Sequence, residues 1–259
     1  MREEPVSPDL AAYPSELRPL LAAATLYDYS SSPEARVLFI AKDCGYFLKS
    51  APKGALEREA VMTNYYHDLG LAARVVAYTS QEQDWLLTER IPGDDCTAAR
   101  HLQQPERLCD LLAEQLAQLH ATDFTGCPVN HTEGYLRGAA QNYRHRTFDM
   151  GFSGNWGFAN PEEAWGVVEN RGHLLQTDTL LHGDYCLPNI ILNNWRLSGY
   201  VDLGCAGVGD AHVDLFWATW SLAFNLKTDK YRQRFFDAYG RGNVDEDRLR
   251  LVAAVEVFG

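Results

Sequence analysis

The sequence predicts an α+β chain in two lobes, a small β-rich one over residues 1–90 and a larger, mainly helical one over 91–259. Three observations carry this. The first third holds short runs of β-branched and aromatic residues separated by turn residues. The pattern breaks at Ile91-Pro92-Gly93-Asp94-Asp95. Beyond it, apolar residues recur at three- and four-residue steps.

In order along the chain, Arg36 to Ala41 and Tyr46 to Lys49 read as strands joined by the turn Lys42-Asp43-Cys44-Gly45. Leu56 to Leu69 reads as a helix with Gly70 as its C-cap. Arg74 to Tyr78 and Trp85 to Thr88 are further strands. After the break, Leu108, Leu111, Leu112, Leu116 and Leu119 mark one helix face. Ile190 to Leu192 is a short apolar strand, and Leu197 to Val201 is a second. Asp214 to Phe224 and Asp247 to Phe258 close the chain as helices.

Hydrophobic content of 46% and charged content of 22% are those of an ordinary globular protein, and 259 residues supply ample core. The net charge of −12 argues against nucleic acid, which demands a basic surface. The six cysteines show no CxxC pair and no finger-like spacing, so neither a zinc site nor a disulfide framework is expected. The charged N-terminus lacks the apolar core of a signal peptide, and no apolar run approaches the ~18–20 residues of a membrane span. A cytoplasmic protein without membrane or nucleic-acid partners is expected, as a monomer or weak dimer.

The chemistry lies in His182-Gly183-Asp184-Tyr185-Cys186-Leu187-Pro188-Asn189, followed by Asp202 in Val201-Asp202-Leu203-Gly204. An HGDxxxxN loop, an apolar strand and an Asp-x-Gly form the layout of a kinase catalytic loop and its metal-binding partner. On this reading Asp184 takes the proton of an acceptor hydroxyl. Asn189 and Asp202 are hard oxygen ligands suited to magnesium. Lys49, ending its strand, is placed to bind nucleotide phosphates, with Glu59 chosen over Glu57 as its helix partner. The serines at 30–32 could add donors to phosphate, and no GxxxxGK[ST] P-loop is present. Asp214 is either a helix N-cap or a buried brace beneath the loop, and His182, His120 and His212 are read as structural. A metal-dependent phosphohydrolase built on His182, Asp184 and Asp202 would need more than two strong metal ligands.

These residues resemble the aminoglycoside phosphotransferase family, specifically its 3′-phosphotransferases, over nearly the whole chain. The similarity is carried by HGDYCLPNIILNNWRLSGYVDLG (182–204), by QLHATDFTGCPVNH (118–131), by FLK followed by LERE, and by Glu256-Val257-Phe258. The resemblance implies a protein-kinase-like fold and transfer of the γ-phosphate of ATP (GTP possible), with Mg2+, to the 3′-hydroxyl of a kanamycin-like antibiotic, conferring resistance. It implies Asp184 as the catalytic base, Asn189 and Asp202 as metal ligands, and Lys49 with Glu59 as the phosphate-binding pair. Ser31 and Ser32 fall in the nucleotide-positioning loop, Phe47 at the adenine-stacking position, and Thr88, Glu89 and Ile91 in the stretch that reads the base. Asp149, Glu256 and Phe258 fall at acceptor-binding positions. Two features differ from the family pattern. Cys205 stands where an arginine is common, and of the acidic loop only Asp149 remains in Asp149 to Gly157. Phe152 and Trp156 in that loop suit a flatter or less charged acceptor, so another amino sugar, a macrolide or a metabolite alcohol is the alternative.

Overall fold

The computed structural model describes residues 5–7, 9–22, 24–30, 35–152 and 156–259. Ser31 and Ser32 lie outside the described residues, as do Ser153, Gly154 and Asn155 of the loop after Asp149. The chain divides into two compact units, one of residues 1–93 with 191–204, the other of residues 94–190 with 205–259.

The first unit is built on an antiparallel six-stranded sheet. Its strands are β1 (Pro5–Val6), β2 (Thr25–Asp28), β3 (Arg36–Ala41), β4 (Tyr46–Pro52), β5 (Val75–Ser80) and β6 (Gln83–Glu89), in the order β1-β2-β3-β4-β6-β5. Period-two alternation sorts its side chains between two faces. Leu38, Leu48 and Leu87 stand side by side across β3, β4 and β6. They pack with Tyr13, Leu17 and Leu21 around helix α1 (Arg18–Ala22). Each such fully buried leucine contributes roughly 1.5–3 kcal/mol. The opposite face presents Ala51 and Leu86 to Leu56 and Ala60 of α2 (Glu57–Asp68). That helix stops at Gly70, whose φ of 74° lets the Leu71 amide turn back onto the Tyr66 carbonyl at 2.8 Å.

The second unit begins with β7 (Asp94–Asp95), α3 (Ala99–Leu102), α4 (Pro105–His120), α5 (His131–His145), α6 (Pro161–Arg171) and β8 (Thr179–Leu181). In α4, Leu108, Leu112, Leu116 and Leu119 are buried, while Leu111 sits half-buried on the flank of the stripe. Asn130 and Asn160 cap α5 and α6 by accepting the amides of Glu133 and Glu163.

The hairpin of β9 (Ile190–Asn193) and β10 (Arg196–Tyr200) then belongs with the first unit from residue 191 onward. It turns through Asn194 and Trp195, both at positive φ. The Tyr200 amide bonds the Leu71 carbonyl at 2.8 Å, which ties the hairpin to the segment after α2. Gly93 is forced here, because at φ 129° a Cβ would stand 2.4 Å from the Leu192 carbonyl oxygen. The second unit ends with β11 (Gly207–Gly209), paired antiparallel with β8, and the helices α7 (His212–Leu226), α8 (Arg232–Tyr239) and α9 (Glu246–Glu256). Among the described residues no helix is long and apolar enough to cross a membrane.

Candidate active site

In the first unit, β4 puts Phe47 and Lys49 on one face while Leu48 points into the core. Lys49 Nζ lies 2.7 Å from Glu59 Oε2 and 2.8 Å from Asp202 Oδ1. Glu57 is exposed, so the helix partner is Glu59. The start of α2 is held by the buried Asp84 of β6, whose carboxylate accepts the Leu56 amide at 2.9 Å and the Tyr78 hydroxyl. Burial opposes the Lys49 charge, but the carboxylates of Glu59 and Asp202 outweigh it and raise its pKa. Asp202 follows β10 at φ 59°, a left-handed backbone uncommon outside glycine and enriched at functional positions. Its carboxylate keeps 51% exposure. Phe47 packs against Phe39 and Tyr29, and it pairs in register with Thr88. The amides of Glu89 and Arg90 are engaged with the carbonyls of Arg74 and Gly45, the Glu89 carboxylate pairs with Arg74, and Ile91 is buried.

In the second unit, the loop from His182 to Asn189 is anchored along its length. Buried Asp214, in the first turn of α7, accepts the His182 amide at 2.8 Å and the Gly183 amide at 2.7 Å. Of the two roles open to Asp214, the structure shows the brace. His120 steadies the brace from behind, with Nε2 3.1 Å from Asp214 and Nδ1 2.8 Å from the Tyr239 hydroxyl. Gly183, at φ 81°, passes so close to the Cys205 carbonyl that a Cβ would lie 2.1 Å from its oxygen. Tyr185 donates to the Leu112 carbonyl, and the Leu187 amide donates to Ser221 Oγ of α7 at 2.9 Å. Asp184 is thereby presented half-buried on a rigid loop. Asn189 Nδ2 donates to Asp184 Oδ2 at 2.8 Å and to the Asp184 carbonyl at 3.0 Å. Both of these bonds use the amide nitrogen of Asn189 and neither uses its oxygen. Ser221 was invisible to motif reading, although its seven-residue step from Asp214 places both on one helix face.

A sequence profile described as the phosphotransferase enzyme family matches residues 30–252. A probable aminoglycoside 3′-phosphotransferase of Lactococcus lactis is 50% identical over 97% of both chains. The chain belongs to the aminoglycoside phosphotransferase family. An aminoglycoside 3′-phosphotransferase of Niallia circulans is 30% identical over 82% of this chain and 83% of its own. In fold, the chain matches an aminoglycoside phosphotransferase of Streptomyces rimosus at a TM-score of 0.78 and 21% identity, covering 97% of this chain and 99% of that one. The same protein in complex with ADP and streptomycin matches at 0.73 and 19% identity, covering 90% and 92%. The α+β, kinase-like architecture is that of the family.

Within this family member, Asp149, Glu256 and Phe258, the positions that the resemblance assigns to the acceptor, are tied together through the residues 256–258. The Asp149 amide bonds the Val257 carbonyl at 2.8 Å, and its exposed carboxylate caps the Gly151 amide. Glu256 is buried and accepts the Tyr135 hydroxyl at 2.7 Å and the Trp217 indole N–H at 3.0 Å. Burial pushes its carboxyl up to about 7, the two donors oppose this, and the charge of Asp184 adds to it. The Phe258 ring is 1% exposed and packs edge-on against Tyr143 and Trp165, so it is a core side chain. Cys205 is exposed, and all six cysteines are free thiols. Among the described residues no group of three His, Cys, Asp or Glu side chains could hold a metal.

Proposed function

We propose that this protein transfers the γ-phosphate of ATP to the 3′-hydroxyl of an aminoglycoside, and thereby inactivates the drug in the cytoplasm of a resistant cell. The observation that carries the reading is the pair of prepared groups. A lysine is shared by two carboxylates, Glu59 and Asp202, and a braced loop presents Asp184 beside Asn189. The 50% identity to a probable aminoglycoside 3′-phosphotransferase supports the acceptor class, and the ADP complex of the S. rimosus protein supports an adenine nucleotide.

Lys49, oriented by Glu59, binds phosphate oxygens, and Phe47 with the strand end at Thr88, Glu89 and Ile91 receives the base. Ser31 and Ser32 complete the phosphate loop. The oxygens of Asn189 and Asp202 are the hard donors that magnesium prefers, one amide and one carboxylate, which fits an ion that keeps most of its other ligands from phosphate and water. Asn189 and Asp202 would hold magnesium, whose chemistry would be to neutralise charge on the transferring phosphoryl group. Asp184 accepts the proton of the acceptor hydroxyl as its oxygen bonds to the γ-phosphorus. The bond from that phosphorus to the bridging oxygen breaks, and ADP leaves. Asp149 and Glu256 receive the acceptor.

The test is steady-state ADP release from Mg-ATP, and GDP release from Mg-GTP, across aminoglycosides, with Asp184→Ala as control. Acceptor-stimulated release that vanishes in the variant supports the reading. Equal turnover in the variant refutes it.

A further inference from the structure

The turn from Asp184 to Asn189 satisfies most of its own backbone. The Cys186 amide bonds the Asp184 carbonyl at 2.7 Å, the Asn189 amide bonds the Cys186 carbonyl at 3.0 Å, and the Asn189 side chain closes back on Asp184. Pro188 has no amide to offer. The Leu187 amide reaches outside the turn instead, to Ser221 Oγ of α7 at 2.9 Å. Ser221 is 1% exposed, on a helix whose buried residues are mostly apolar, and a hydroxyl buried there is costly unless it is bonded. Thr219 of the same helix bonds back to the carbonyls of Leu215 and Phe216, the common habit of a helical hydroxyl. Ser221 is used differently. Its oxygen accepts the Leu187 amide and also Asn225 Nδ2 at 3.3 Å, which occupies both lone pairs. Asn225 Nδ2 bonds the Ser221 carbonyl as well, at 2.8 Å, so the acceptor is itself held in place.

We propose that Ser221 is a positioning residue for phosphoryl transfer: it orients the turn that carries Asp184 and Asn189, and so sets kcat while touching neither substrate. The proposal deepens the phosphotransferase reading and rests on it. Asp214 holds the loop where it enters the turn, at the amides of His182 and Gly183. One anchor leaves a closed turn free to swing about it. Ser221 supplies the second, seven residues and so roughly 10 Å further along the same helix. With both made, Asp184 and Asn189 are referenced to one rigid element at two points. Without the Ser221 oxygen, the amide of fully buried Leu187 has no acceptor, and the turn must tilt to find one. A tilt displaces Asp184 from the acceptor hydroxyl and Asn189 from the phosphate end. Displacement of about 1 Å costs on the order of 100-fold in a reaction that needs alignment.

The experiment grades the acceptor at this position in the full chain. Ser221→Thr keeps the hydroxyl, Ser221→Cys offers a weaker acceptor, and Ser221→Ala offers none. ADP release from Mg-ATP with kanamycin should lose kcat in that order, slightly in Ser221→Thr and roughly 10–100-fold in Ser221→Ala. The KM values for nucleotide and acceptor should each stay within about threefold, the signature of an interaction lost at the transition state rather than in binding. On an Asp184→Ala background, Ser221→Ala should cost no further turnover, because the group it positions is gone. A readout independent of turnover is the side-chain amide of Asn189, assigned by the loss of its resonances in Asn189→Asp. These resonances report the contact with Asp184, and they should move in Ser221→Ala and stay in Ser221→Thr. Where Ser221→Ala does not accumulate as folded protein, Ser221→Cys carries the same comparisons. Native kcat in the variant, a nucleotide KM that rises as far as kcat falls, a full further loss on the Asp184→Ala background, or unmoved Asn189 resonances overturns the proposal. The phosphotransferase reading fails separately, if Asp184→Ala alone keeps acceptor-stimulated release.

Discussion

Glu256→Gln isolates one buried carboxyl whose cost can be worked from its surroundings. Glutamine keeps an oxygen for the Tyr135 and Trp217 donors that now meet Oε1, so the change removes charge with little change of shape. In the native protein, burial raises the carboxyl from an ordinary 4.5 to about 7. Below the unfolded value both states are protonated, and the group is neutral to stability. As pH rises from 4.5 towards 7 the unfolded chain releases its proton while the folded one holds it, so stability is lost across that window. Each tenfold difference in proton affinity is worth about 1.4 kcal/mol, which puts the full loss at about 3 kcal/mol above neutrality. For a unit of this size, that corresponds to roughly 6–12 °C in melting temperature. The assay is thermal unfolding by circular dichroism of both proteins from pH 4.5 to 8.5. The variant should match the native protein near pH 4.5 and exceed it increasingly up to pH 8. A gap that does not change with pH, or a variant less stable at pH 8, would show that Glu256 is held as an anion and would refute the argument.

Asp184→Ala should lower acceptor-dependent turnover by at least ~10²–10⁴-fold, the contribution of a positioned base, with nucleotide affinity by calorimetry altered less than about threefold. Glu59→Gln leaves Lys49 to Asp202 alone, so the nucleotide KM should rise more than kcat falls, and an unchanged KM would count against a phosphate-binding role for Lys49. Asp214→Ala strips two buried amides of their acceptor and should cost about 2–5 kcal/mol of stability in denaturant unfolding. Asp214→Asn, which keeps one acceptor oxygen, should fold better while kcat still drops. Gly183→Ala should fail to accumulate as folded protein, since its Cβ meets backbone at 2.1 Å, and a soluble, active variant would show that the loop can shift.

What could be read in the sequence was what short spacing encodes. The alternation in Tyr46 to Lys49 places Leu48 in the core and Phe47 with Lys49 on the other face, and the leucine steps in 108–119 give the buried stripe of α4. The partner of Lys49 was legible in the same way, because α2 follows its strand closely and only one of its two first-turn glutamates turns inward. The rest depends on contacts between residues far apart in the chain. Nothing local to Asp214 says that its two oxygens reach back across about thirty residues to the amides of His182 and Gly183, or that His120 stands behind them. The assignment of residues 191–204 to the first unit is of the same kind, since the hairpin bonds the segment after α2 rather than its neighbours in sequence. Asp202 shows why this matters for chemistry. Its carboxylate reaches Lys49 from the end of that hairpin, through a left-handed residue that an Asp-x-Gly motif does not encode. The motif thus names the carboxylate, while the fold of a distant hairpin decides that the lysine has two counter-charges instead of one. The two carboxylates outweigh burial and raise the pKa of Lys49, so its charge is favoured where a phosphate would meet it. Burial raises the Glu256 carboxyl to about 7, and the proposed role of Glu256 in receiving the acceptor predicts that pH near neutrality acts on acceptor KM more than on nucleotide KM.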